Sequence, residues 1–84
     1  MTTQTAVVTR LVRARTLVVG DIIIQRVLRE QGFVDAQVVL LDLETYPDLD
    51  RNHMVVSAIG VDDLGEQILT ECPEWGVVTV VVSE

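Results

Sequence analysis

The chain has one cysteine, one histidine, no lysine and three aromatic residues among its 84 positions. Each scarcity removes a class of protein. With Cys72 alone, no internal disulfide can form, and a single thiol suits a reducing compartment. A transition-metal site needs two or three His or Cys ligands; one His and one Cys do not make a set, so neither a metal nor any other cofactor is expected. Phe33, Tyr46 and Trp75 fall at element ends or in loops. They provide no aromatic platform on a sheet of the kind that stacks RNA bases. The net charge of −7 also disfavours a nucleic-acid partner, because phosphate affinity needs clustered cations. No apolar run reaches the roughly 18 residues of a membrane span. The first residues are not read as a secretion signal, because their arginines follow the first apolar residues and no small-residue cleavage site follows. The expectation is a cytoplasmic protein with no membrane partner.

What is present is a split charge and an excess of β-branched residues. Residues 1–33 carry five arginines against Asp21 and Glu30, whereas residues 34–84 carry only Arg51 against eleven acids. The length allows one domain, residues 1–84. So short a chain hides only about 60–65% of its unfolded surface. With disulfides and metals set aside, oligomerisation is the remaining way to enlarge such a core.

The hydrophobic pattern predicts strands over residues 5–14, 36–45, 53–60 and 76–84. The first of these also fits a helix face through Val7, Val8, Leu11 and Val12. It predicts helices over residues 20–33 and 61–72. Asp21 would cap the first helix and Gly32 would end it. Asp62, Asp63 and Glu66 would sit at the positive end of the second, and Pro73 would stop it. The resulting fold class is α+β. It is a two-layer βαββαβ ferredoxin-like sandwich, with a four-stranded antiparallel sheet and two helices on one face. A weaker arrangement divides residues 5–19 into two strands and starts a parallel α/β unit at "TLVVG".

A sheet covered on one face should alternate apolar and polar residues. Here both faces are apolar. Val39, Leu41, Leu43, Val55, Ile59, Val77 and Val81 fall on the side that no helix would cover. Apolar surface of that extent marks association. These seven are the candidate interface residues, and a second copy of the chain is the expected partner.

The motifs give no chemistry. In "DLETYPDLDRNH" (42–53), Asp48, Asp50 and Asn52 have the start of a calcium-loop spacing. The positions that require Gly and a bidentate Glu hold His53 and Ile59. The stretch reads as a polar hairpin loop with Asx turns. "VVGD" (18–21) has one glycine, no lysine and an acid where an anion would sit. Cys72 would sit in the last turn of the second helix, at the negative end of its dipole and beside Glu71 and Glu74, which disfavours a thiolate. It reads as a core thiol. "TLVVG", a following helix and "VVS" are similar to the IIB domains of sugar-transport phosphocarriers. The reactive cysteine those domains carry after their first strand is missing here, so the similarity implies no activity. No catalytic residues are assigned. The sequence points to a non-enzymatic interaction module, a structural or regulatory subunit that homo-oligomerises through its apolar sheet face. The alternatives are an acidic partner or inhibitor of a basic, possibly nucleic-acid-binding, protein surface, or a small-ligand-sensing domain.

Overall fold

The computed structural model describes residues 7–83. Among them there is no α-helix. Six strands form one antiparallel sheet: β1 (Val8–Arg13), β2 (Ile22–Arg29), β3 (Gly32–Asp48), β4 (His53–Val61), β5 (Gln67–Pro73) and β6 (Val77–Ser83). Their order across the sheet is β1-β6-β2-β3-β4-β5. Only Ala14–Thr16 is helical, as one 3-10 turn. The ferredoxin-like sandwich is therefore overturned, and so is the weaker division of residues 5–19. The residues near 8–13 form a strand, and "TLVVG" belongs to an irregular connection.

Both expected helices are strands closed by turns. Ile22, Ile23 and Ile24 are three successive β-branched residues, which crowd a helix and suit a pleated sheet. The strand they begin pairs along its full length with β3, from Ile22 opposite Val39 to Arg29 opposite Gly32. Gly32 ends no helix; it opens β3 as a hairpin residue at φ +113°, opposite Arg29. In that region only glycine is unstrained. Asp21 caps no helix. Its carboxylate accepts the Val18 N–H at 3.0 Å and closes a turn.

The second expected helix is the β4–β5 hairpin. Asp62 is buried, and its Oδ1 accepts the N–H groups of Leu64 at 3.0 Å and Glu66 at 2.9 Å. Gly65 takes φ +78°. An acid that looks like a helix-start residue is instead the staple of a turn.

One irregularity organises the sheet. Leu40 pairs with Gly60 and Asp42 with Ile59, so Leu41 is an extra, unpaired residue. Before this bulge the buried residues of β3 are Ala36, Val38 and Leu40; after it, Leu43 is the one that packs on the core. A one-residue bulge bends the strand and exchanges its faces. Gly60 lies opposite the bulge. A Cβ there would meet the Val39 carbonyl oxygen at 2.5 Å, so the two backbones approach only because residue 60 is glycine.

The sheet curls around its inner face. Ile23, Val38, Leu40, Ala58 and Val80 form the core, with Val12, Leu17, Leu43, Ile68 and Val78 packed against it. Residues from all six strands thus meet in one cluster. Thr70 of β5 donates its hydroxyl to Gln25 of β2 at 3.4 Å, although two strands separate them in the sheet. The β5–β6 connection fastens one end: Glu74 N–H donates to Met54, Arg15 N–H to Glu74 and Ala14 N–H to Gly76. Ile23, Leu40 and Val38 are fully buried, each contributing about 1.5–3 kcal/mol.

Candidate interaction surface

The strand pairings define the outer face. Residues opposite one another in an antiparallel pair project to the same side. Val81 lies opposite Ile22, Ile22 opposite Val39, and Val39 opposite Val61. This apolar row crosses β6, β2, β3 and β4. Beside it, Ile59 of β4 faces Leu69 of β5, and Leu11 of β1 faces Thr79 of β6. Leu11 is 70% exposed and Leu69 60%. Along the row, Val39 is exposed, and Ile22, Val61 and Val81 are half-buried.

The seven residues singled out from the sequence do not all reach this surface. Val39, Ile59, Val77 and Val81 share the outer face, and Leu41 projects from the bulge, 54% exposed. Leu43 belongs to the other side, where it packs against the core opposite Ala58. Strict alternation from Val39 placed it with Leu41; the bulge reverses that assignment. Val55 has the outer phase but is buried between Tyr46 and Pro73, its neighbours across the strands. Ile22 and Val61 were missed. Each lay inside or beside a segment read as helix, and no alternation signal singled them out.

The "DLETYPDLDRNH" stretch is mostly strand. β3 continues to Asp48, and residues 49–52 alone make the loop. Asp48 Oδ1 accepts the N–H of Asp50 at 3.1 Å and of Arg51 at 3.3 Å, so the carboxylate with calcium-like spacing is occupied in forming the turn. Among the described residues, no three His, Cys, Asp or Glu side chains converge as a metal site would need. A cleft of about 350 Å³ opens here, lined by Tyr46, Asp48, Arg51, His53, Glu71 and Pro73. Tyr46 donates its hydroxyl to Glu71, and this bond to a carboxylate holds the phenol above its ordinary pKa. His53 meets the edge of Trp75, with ring centroids 6.3 Å apart. Cys72 is partly buried on β5, and burial pushes its thiol pKa up. The direction is the one expected from sequence, but the cause is desolvation within a sheet, not a helix end.

No protein-family profile and no curated protein matches this chain. No helix among the described residues is long and apolar enough to cross a membrane.

The charges are also sorted by the fold. β1 and its flank carry Arg10, Arg13 and Arg15 with no acid among residues 7–20. At the opposite end, Glu44, Ser57 and Glu71 form one outer-face row, next to Asp42. The remaining strong charge pair is internal. Arg29 at the β2–β3 hairpin reaches Asp62 and Asp63 at the β4–β5 hairpin.

Proposed function

We propose that the chain is a non-enzymatic interaction module that assembles with copies of itself through the outer face of its sheet. The observation that carries this reading is the apolar row Val81–Ile22–Val39–Val61, which runs across four strands on the outer face, with Val39 exposed and the others half-buried. Contiguous apolar surface of this kind marks association. A single-sheet chain of 84 residues gains from a partner that enlarges its core. The role that follows is that of a structural or regulatory subunit. Its lone thiol suits a reducing compartment such as the cytoplasm.

The test is absolute mass in solution for the wild type, Val39→Asp and Val81→Asp. The wild type forms an oligomer that persists in high salt, since apolar contact is not screened. Both variants dissociate while keeping the strand content of the wild type. Variants that retain the wild-type mass would remove this face from the assembly.

A further inference from the structure

A recess of about 400 Å³ opens beside β1 and the connection that leads from it to β2. Arg10, Val12, Thr16, Val18, Asp21 and Val80 are among the residues that line it. Its volume falls within the range of small-ligand pockets, about 300–1,000 Å³.

Strand register places a charge at the end of a core row. Arg10 lies opposite Val80, Val80 opposite Ile23, and Ile23 opposite Val38. The three apolar members of this row are buried in the core. Opposed residues project to the same side, so Arg10 is on the core side of β1, at the margin of the sheet. It is itself exposed, and Val12, two positions on, packs against the core.

The β1–β2 connection supplies the second charge. Thr16 donates its hydroxyl to the Arg13 carbonyl at 2.7 Å, and Gly20 N–H donates to the Leu40 carbonyl at 2.9 Å. Asp21 Oδ2 accepts the Val18 N–H at 3.0 Å. These bonds fix the segment that carries Val18 and Asp21, so the recess exists before a ligand arrives. Such preorganisation lowers the cost of binding.

The two charges share the recess without pairing. Among the described residues, ion pairs join only Arg29 and Arg51 to carboxylates. Asp21 spends one oxygen on its turn, and no donor among the described residues reaches the other. A simple anion here would meet Asp21, and a simple cation would meet Arg10. A ligand that carries both charges and an apolar body satisfies every wall. We propose that the recess binds an α-amino acid with an aliphatic side chain. Its carboxylate would sit on the Arg10 guanidinium, whose fork of N–H donors matches a carboxylate. Its ammonium would donate to the free Asp21 oxygen, and its side chain would lie against Val12, Val18 and Val80. This site goes beyond the self-association reading and does not depend on it.

The experiment is isothermal titration calorimetry on the full chain with four probes: L-leucine, isocaproate, isoamylamine and glycine. The second lacks the ammonium of leucine, the third lacks its carboxylate, and the fourth lacks its side chain. Leucine should bind, and each of the others should bind at least about tenfold more weakly, the scale of one charge-assisted hydrogen bond or one buried aliphatic side chain. Arg10→Gln and Asp21→Asn should each weaken leucine by a similar factor. Both should keep the wild-type melting temperature, since Arg10 is exposed and the asparagine oxygen can still accept the Val18 N–H. Arg10→Gln should lose the preference for leucine over isoamylamine, and Asp21→Asn the preference for leucine over isocaproate. A wild type that gives no heat with leucine would overturn the proposal. So would leucine binding that is unchanged in both variants, or isocaproate binding as tightly as leucine. None of these results bears on the mass of Val39→Asp, so the outer-face reading stands or falls separately.

Discussion

The guanidinium of Arg29 lies 3.1 Å from the carboxylate of Asp62, joining the tip of the β2–β3 hairpin to the turn between β4 and β5. Asp62 is buried, and its other oxygen holds the turn through Leu64 and Glu66. One side chain thus serves the local turn and the long-range contact together. Removing one member of a buried ion pair costs more than the pair itself contributes, because a charge is left without its partner. Asp62→Ala should therefore lower the melting temperature more than Asp63→Ala, whose carboxylate is exposed. Asp62→Asn should fall between them, since its amide oxygen can still accept the turn bonds. Thermal unfolding of the three variants tests this order.

Acid should act through the same cluster. Burial alone would raise the Asp62 carboxyl, but the backbone bonds from Glu66 and Leu64, and then Arg29, outweigh it and hold its pKa below the usual range. Asp63 is lowered chiefly by its hydrogen bond to Arg29. A carboxylate depressed in the folded state stabilises the fold at pH above its unfolded value, about 4. That contribution is lost as pH falls through the folded value. Urea midpoints should be steady from about pH 5 to 7 and drop below about pH 4. The drop should be shallower in Asp62→Asn/Asp63→Asn. An equal drop in that variant would place the acid sensitivity elsewhere.

The bulge predicts opposite outcomes for two leucines two positions apart. Leu41→Asp adds charge to an exposed position and should leave the fold intact. Leu43→Asp puts an unpaired carboxylate against the core and should cost at least about 2 kcal/mol. Circular dichroism with urea titration separates them. Equal effects would mean that the face exchange at Leu41 is wrong.

Gly60→Ala should destabilise by about 1–3 kcal/mol, the usual cost of overpacking. Its Cβ would meet the Val39 carbonyl oxygen at 2.5 Å and Val38 Cγ1 at 2.6 Å. Gly65→Ala has open space but φ +78°, so its cost is about 1 kcal/mol of backbone strain. A denaturant series that ranks Gly60→Ala as the milder change would contradict the close backbone approach.

The strands expected over residues 36–45, 53–60 and 76–84 were legible because β-branched runs are bounded by turn residues; the segment 5–14, which fits a strand and a helix face alike, is a strand from Val8 to Arg13, and residues 5, 6 and 84 lie outside the described residues. The faces of β4 and β6 were legible by alternation. The two segments read as helices were not, for a physical reason. In "IIIQRVLR", Ile24, Val27 and Leu28 fit one helical face, while pairing with β3 outweighs that local pattern. Asp21 and Asp62 stabilise turns with the same carboxylates that favour helix starts, and Asp63 pairs with Arg29. The Leu41 bulge leaves no mark in composition, since it exists only in the register between β3 and β4. It displaced Leu43 from the candidate surface. Ile22 and Val61 stayed hidden because residues 20–33 and 61–72 were read as helices.

The most direct measurement is absolute mass by light scattering after size exclusion, at low and high salt, for the wild type and Val39→Asp. The account predicts a wild-type mass above the 9.3 kDa of one chain at both salts, and a clear fall in mass for Val39→Asp. A wild type at the mass of one chain under both conditions, across concentration, would contradict it.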